Sequence, residues 1–141
     1  MLVPLDPQIV PLLERIVVMG LIKTYLGVTS ELHLYKAPTT PLGPDVVLAD
    51  LVDADFDGYS ALDPVVWSAV FLDPTGDGVM NSGSHVFQAS GGTTPNTIYG
   101  AYLTTAAKAA LVAVFPFTSP VPVVATGDAV PVLAQLHYSG T

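Results

Sequence analysis

Residues 97–117 read Thr97-Ile-Tyr-Gly-Ala-Tyr-Leu-Thr-Thr-Ala-Ala-Lys-Ala-Ala-Leu-Val-Ala-Val-Phe-Pro-Phe117, and their reading decides the fold. In an extended chain Ile98, Gly100 and Tyr102 share one face, and Tyr99, Ala101 and Leu103 share the other. Over 110–115, Leu111, Ala113 and Phe115 oppose Ala110, Val112 and Val114. All of these faces are apolar, as in central strands covered on both sides. The pattern predicts a hairpin with arms 97–103 and 110–115 and a short turn between them. A helix over 104–114 is the competing reading, because four alanines lie within 106–110. The hairpin is preferred because Pro116 follows at once and the flanking residues are β-branched or aromatic.

Toward the C-terminus, 118–122 reads as a connection and 125–128, Ala-Thr-Gly-Asp, as a turn. Val130, Val132, Ala134, Leu136 and Tyr138 then alternate as a final strand, with Pro131 at its start suiting an edge or first position. Toward the N-terminus, 90–96 is a Gly/Thr/Pro turn and 79–88 a strand with a polar middle. Asp73-Pro-Thr-Gly-Asp-Gly78 is dense turn chemistry. Strands are predicted over 65–72 and 56–62, separated by Asp63-Pro64, with 46–52 a short strand or loop edge. Pro38, Pro41, Gly43 and Pro44 make 37–46 an extended loop. Glu31-Leu-His-Leu-Tyr-Lys36 alternates as a half-buried strand, with Leu32 and Leu34 inward.

Ahead of these strands, Asp6-Pro7 is a helix start, an acidic cap before a first-position proline. Ile9, Leu12, Leu13, Ile16, Val17, Leu21 and Tyr25 recur at helical spacing. The helix is expected over 7–19 at the least and 7–26 at the most, with Gly27 as its end. Its apolar stripe is broad, so it must lie on a sheet or on a neighbouring subunit. The whole chain, 1–141, reads as one mainly β domain: an antiparallel β-sandwich or jelly-roll-like barrel with one N-terminal amphipathic helix.

Half of the residues are hydrophobic and only 11% are charged. That is well below the usual quarter, so much of the surface is neutral or is covered by another chain. Compositional bias is the plainer explanation. The net charge is −8, and Arg15, Lys23, Lys36 and Lys108 are too few and too scattered for a phosphate-binding stripe, so no direct nucleic-acid contact is expected. Without cysteine there is no disulfide framework, thiolate zinc site or cysteine nucleophile. No basic region leads into an apolar stretch at the N-terminus, and charged residues interrupt the apolar runs; neither a secretory signal nor a membrane span is expected.

Asp53-Ala-Asp55-Phe-Asp57-Gly58 copies the first half of an EF-hand loop, with acids at positions one, three and five and glycine at six. Position twelve is Pro64, where a bidentate acid belongs. Asp53, Asp55 and Asp57 are therefore weak metal candidates, and Ca²⁺ is the one cofactor that the sequence suggests; the alternative is a solvated acidic loop. Eight of the twelve acids lie within 45–77, and no Lys, Arg or His falls within 37–84. Such a region either docks a basic patch or divalent cations, or guards a sheet edge. Asp73 and Asp77 read as turn formers. His33, His85 and His137 match no catalytic or zinc spacing, so no catalytic residue is assigned. Trp67, Tyr99 and Tyr102 read as core, with a sugar platform as the alternative.

Three pieces together resemble a family of small structural proteins encoded by tailed bacteriophages and prophages. They are the N-terminal helix followed by Leu32-His-Leu-Tyr-Lys36; Ala54-Asp-Phe-Asp-Gly-Tyr-Ser60 with Trp67 soon after; and Ile98-Tyr-Gly-Ala-Tyr-Leu103, then Leu111 to Phe115, then Gly127-Asp128 before a last alternating strand. The resemblance implies a non-enzymatic, β-rich virion component. A capsid decoration (cement) protein is expected first, forming homo-oligomers, expected as trimers, and contacting the major capsid or other virion proteins. A tail-associated or carbohydrate-binding module is the alternative. Met1, Leu2, Val3, Pro4, Pro38, Pro41 and Pro44 are the expected interface residues.

Overall fold

The structure, a computed structural model, describes residues 9–26 and 29–139. It is mainly β, with a helix α1 (Ile9–Leu26) ahead of strands β1 (Glu31–Ala37), β2 (Val52–Asp53), β3 (Phe71–Leu72), β4 (Gly78–Gln88), β5 (Asn96–Thr104), β6 (Leu111–Val123) and β7 (Ala129–Tyr138). The strands form two antiparallel sheets, ordered β2-β1-β5-β6 and β3-β4-β7. Neither closes into a barrel, so of the two expected architectures the sandwich-like one stands.

The expected hairpin is β5 and β6. Ala101 pairs with Phe115, Tyr102 with Val114 and Leu103 with Ala113. The competing helix shrinks to one 3₁₀ turn, Ala106–Lys108. Ala107 and Lys108 both have positive φ, a left-handed pair that reverses the chain and that a continuous helix excludes. The hydroxyl of Thr105 accepts from the Ala110 amide, and Glu31 accepts from the Lys108 amide at 2.7 Å, so side chains satisfy backbone groups of the turn.

β5 is buried on both faces from Gly100 to Thr104, as its sequence requires. Here the glycine is a packing residue. A Cβ on Gly100 would lie 2.6 Å from the Phe115 carbonyl and 2.6 Å from the Tyr35 ring. β1 is likewise buried on both faces, with His33 and Tyr35 joining Leu32 and Leu34, where only half-burial was expected. Its register on β5 runs from Glu31–Thr104 to Tyr35–Gly100.

Several expectations are corrected. β6 is the edge of its sheet and is only half-buried, not a central strand. It also runs through Pro116 to Val123, so 118–122 is strand, not connection. Prolines are tolerated there because one side of an edge strand needs no ladder amide. A register shift between Ile98 and Gly100 takes up the extra β6 residues. The segment 56–62 is no strand: Asp57-Gly58 turns, and Leu62 makes an isolated bridge to Leu32. Of 65–72 only Phe71–Leu72 is strand. Within 46–52, Leu48–Asp50 forms a 3₁₀ turn. The alternation of β7 appears as expected, with Val130, Val132 and Ala134 buried.

The chain divides into two compact units. One comprises the described parts of Met1–Gly27, Val66–Gly83 and Leu133–Thr141; the other comprises those of Val28–Val65 and Ser84–Val132. In the first unit α1 approaches the start of β4 so closely that a Cβ on Gly78 would lie 2.5 Å from the Arg15 carbonyl. Arg15 Nη1 donates to the Gly76 carbonyl at 2.8 Å, and Lys23 Nζ to that of Ser68 at 2.9 Å. The second unit holds the whole β2-β1-β5-β6 sheet. The expected helix start at Asp6-Pro7 and its end at Gly27 lie outside the described residues. Among the described residues no helix is long and apolar enough to cross a membrane.

Candidate functional site

The acidic motif of the second unit comes apart into separate partnerships. Asp53 accepts from the Tyr102 hydroxyl and, at 2.7 Å, from Lys108 Nζ. Asp55 pairs with Lys36 at 2.7 Å and exchanges two hydrogen bonds with Asn96, each 2.8 Å. The Lys36 bond is the main reason its carboxyl is held below the usual carboxylate value. Asp57 takes the Thr93 amide at 2.7 Å and the Thr93 hydroxyl at 2.6 Å, which likewise lower its pKa. The spacing that imitates a calcium loop thus ties 53–57 to strands and turns on several sides.

Behind Asp53 lies a buried aromatic seam. The His33 ring stacks on Tyr102 at 4.8 Å, and its Nε2 lies 3.2 Å from the Thr104 hydroxyl. Burial lowers the His33 pKa, and it raises that of Tyr102, reinforced by the bond to Asp53. Lys108 sits 5.6 Å from the centre of the Tyr102 ring. Tyr102 is fully buried, and Trp67 is buried in the other unit, so neither offers a ring to a sugar. Tyr99 is partly exposed. His85 lies edge-on to Phe87 at 4.5 Å.

The proline-rich loop stands beside β6. Pro41 and Pro44 are exposed and Pro38 partly so, whereas Met1, Leu2, Val3 and Pro4 lie outside the described residues. Leu42 and Val46 from this loop, with Leu111 and Val114 from β6, pack on the core of Tyr35, Leu51 and Tyr102. Shallow recesses flank the loop. One of about 430 Å³ is lined by Pro38, Pro41, Leu42 and Val46; another of about 410 Å³ runs from Pro44 to Val112 and Pro116.

α1 carries a run of exposed apolar side chains. The helix turns Met19 and Leu26 inward, with Arg15 and Lys23 bonding from the same side. Of the predicted apolar stripe, Ile16, Val17, Leu21 and Tyr25 are 37%, 61%, 65% and 71% exposed. Val17, Leu21 and Tyr25 follow one another at i, i+4 and i+8, a continuous stripe on one helix face. Comparison of the chain with protein-family models, with curated proteins and with solved structures returns no match.

A contiguous apolar helical stripe is costly to leave in water, and amphipathic helices of this kind are a common recognition surface. The sequence contained the signal, since α1 is apolar around most of its circumference and a monomer can bury only one side. It did not reveal which side. A second arrangement had no local signal at all: Asp73 and Asp77 meet His137, sixty residues further on, with their ligand atoms within 4.8 Å of one another.

Proposed function

We propose that the chain is a non-enzymatic virion structural protein, in the first place a capsid decoration (cement) protein that self-associates and binds shell proteins. One observation carries the assembly half of this reading: the exposed Val17–Leu21–Tyr25 stripe of α1. The proline loop and the half-buried edge strand β6 supply further apolar surface in the second unit. The virion setting rests on the resemblance of 32–36, 54–60 and 98–103 to small phage structural proteins. Stabilisation of a shell would come from many modest contacts between copies and neighbours, as in other symmetric assemblies.

Co-sedimentation of the purified chain with empty capsid shells tests the proposal. Saturable binding, weakened by Leu21→Glu, is the expected result. Shells that pellet without the chain, together with binding to a glycan array, would favour the carbohydrate-binding alternative.

A further inference from the structure

In the first unit, the turn between β3 and β4 and the end of β7 bring two carboxylates and an imidazole together. Asp73 Oδ1 is fully occupied: it accepts from the Thr75 amide at 2.9 Å, the Thr75 hydroxyl at 2.7 Å and the Asp77 amide at 2.9 Å. These bonds hold the carboxylate still and leave Oδ2 to face His137. The His137 Nδ1 lies 3.6 Å from Asp73 Oδ2 and 3.9 Å from Asp77 Oδ2. Its other nitrogen, Nε2, lies 2.9 Å from Gln135 Oε1, an acceptor that fixes the ring and places the proton on Nε2.

Spacing sets this cluster apart from a solvated acidic patch. A hydrogen bond would draw Nδ1 to within about 3.2 Å of an oxygen. Ligands held at about 2.0–2.2 Å from a shared ion stand roughly 3–4 Å from each other. The two imidazole–carboxylate separations fall in the second range, and all three ligand atoms lie within 4.8 Å of one another. Both carboxylates are partly buried, with side chains 18% and 24% exposed. Arg15 donates to the Gly76 carbonyl inside this turn, whereas Lys23, Lys36 and Lys108 bond to Ser68, Asp55 and Asp53. The imidazole and the two carboxylates converge from separate segments as a mixed nitrogen and oxygen donor set.

We propose that Asp73, Asp77 and His137 form a binding site for a zinc-like divalent cation, completed by water. One imidazole and two carboxylates are a borderline donor set that suits Zn²⁺, whereas Ca²⁺ wants six to eight oxygens. The site would staple the β3–β4 turn to the end of β7.

Calorimetric titration of the chelator-stripped full chain with ZnCl₂ and separately with CaCl₂ tests this. One equivalent of zinc is expected to bind, with affinity at least about tenfold weaker in H137Q and in D77N and unchanged in H85Q. In the wild type, zinc should also shift the Nδ1 resonance of His137, a readout that does not depend on any variant folding. The proposal is overturned if zinc does not bind, if calcium binds more tightly, if H137Q and D77N bind like wild type, or if the His137 resonance stays put.

Discussion

Strand β5 and helix α1 are both rich in apolar side chains, yet the fold uses them differently. From Gly100 to Thr104 every β5 residue is buried, and the faces of the strand are filled by its own chain. α1 buries Met19 and Leu26 but leaves Val17, Leu21 and Tyr25 largely in solvent. Apolar content within β5 therefore contributes to folding stability, whereas the exposed outer stripe of α1 contributes little to it. Substitutions in the two regions should separate accordingly, with stability responding in β5 and assembly in α1.

The largest effect is expected for Tyr102→Ala. It removes a fully buried ring stacked on His33 and the hydroxyl that bonds Asp53. A loss of about 3–5 kcal/mol in urea unfolding is expected, as for other buried aromatics. A loss below about 1 kcal/mol would mean that β5 is not the tightly packed element described.

Next comes Gly100→Ala. The added methyl meets the Phe115 carbonyl and the Tyr35 ring at 2.6 Å. Overpacking of this kind costs about 1–3 kcal/mol, to be read from the same unfolding curves. An unchanged midpoint would show that β6 can move away from β5 freely.

A smaller effect follows pH. Burial lowers the His33 pKa from its ordinary 6.5, so the unfolded chain binds the proton more readily. The His33 contribution is thus fully present above pH 6.5 and is lost as pH falls from there through the folded value. His33→Gln should flatten the stability profile in that window. Asp55, Asp57, Asp73 and Asp128 are held low by hydrogen bonds, so their contributions are lost only as pH falls below the ordinary 3.8. A profile that rises on acidification from neutrality would contradict the His33 assignment.

What could be read from residues alone follows the same division. β7 was legible because its alternation is strict, and β5 because an extended run that is apolar on both faces suits little but a covered strand. β6 was cut short at Pro116 because proline is an edge-strand residue as well as a strand breaker, and the sequence does not say which strand is the edge. The stretch 56–62 looked like a strand since Phe56 and Tyr59 are apolar, but their rings pack against each other at 5.3 Å across a turn. The side of α1 that packs within the chain could not be read for a similar reason. Charged Arg15 and Lys23 mark its packed side, because their head groups reach backbone carbonyls of the same unit. The carboxylates of the apparent calcium motif and the meeting of Asp73, Asp77 and His137 were beyond reach, since both depend on partners far away in the chain.

The smallest effect on stability, and the largest on assembly, is expected for Leu21→Glu combined with Tyr25→Lys. Both positions are well exposed, so the fold should change by no more than about 0.5 kcal/mol in urea unfolding. A clear loss of stability would mean that this face of α1 is needed within the chain.

Multi-angle light scattering of the full chain over a range of concentrations tests the central claim most directly. The wild type should exceed the 14.7 kDa of one chain by an integral multiple, and the double variant should fall back to a single chain. A wild type that stays at the single-chain mass throughout, or a double variant that assembles as well as it does, would contradict the claim that α1 carries an assembly face.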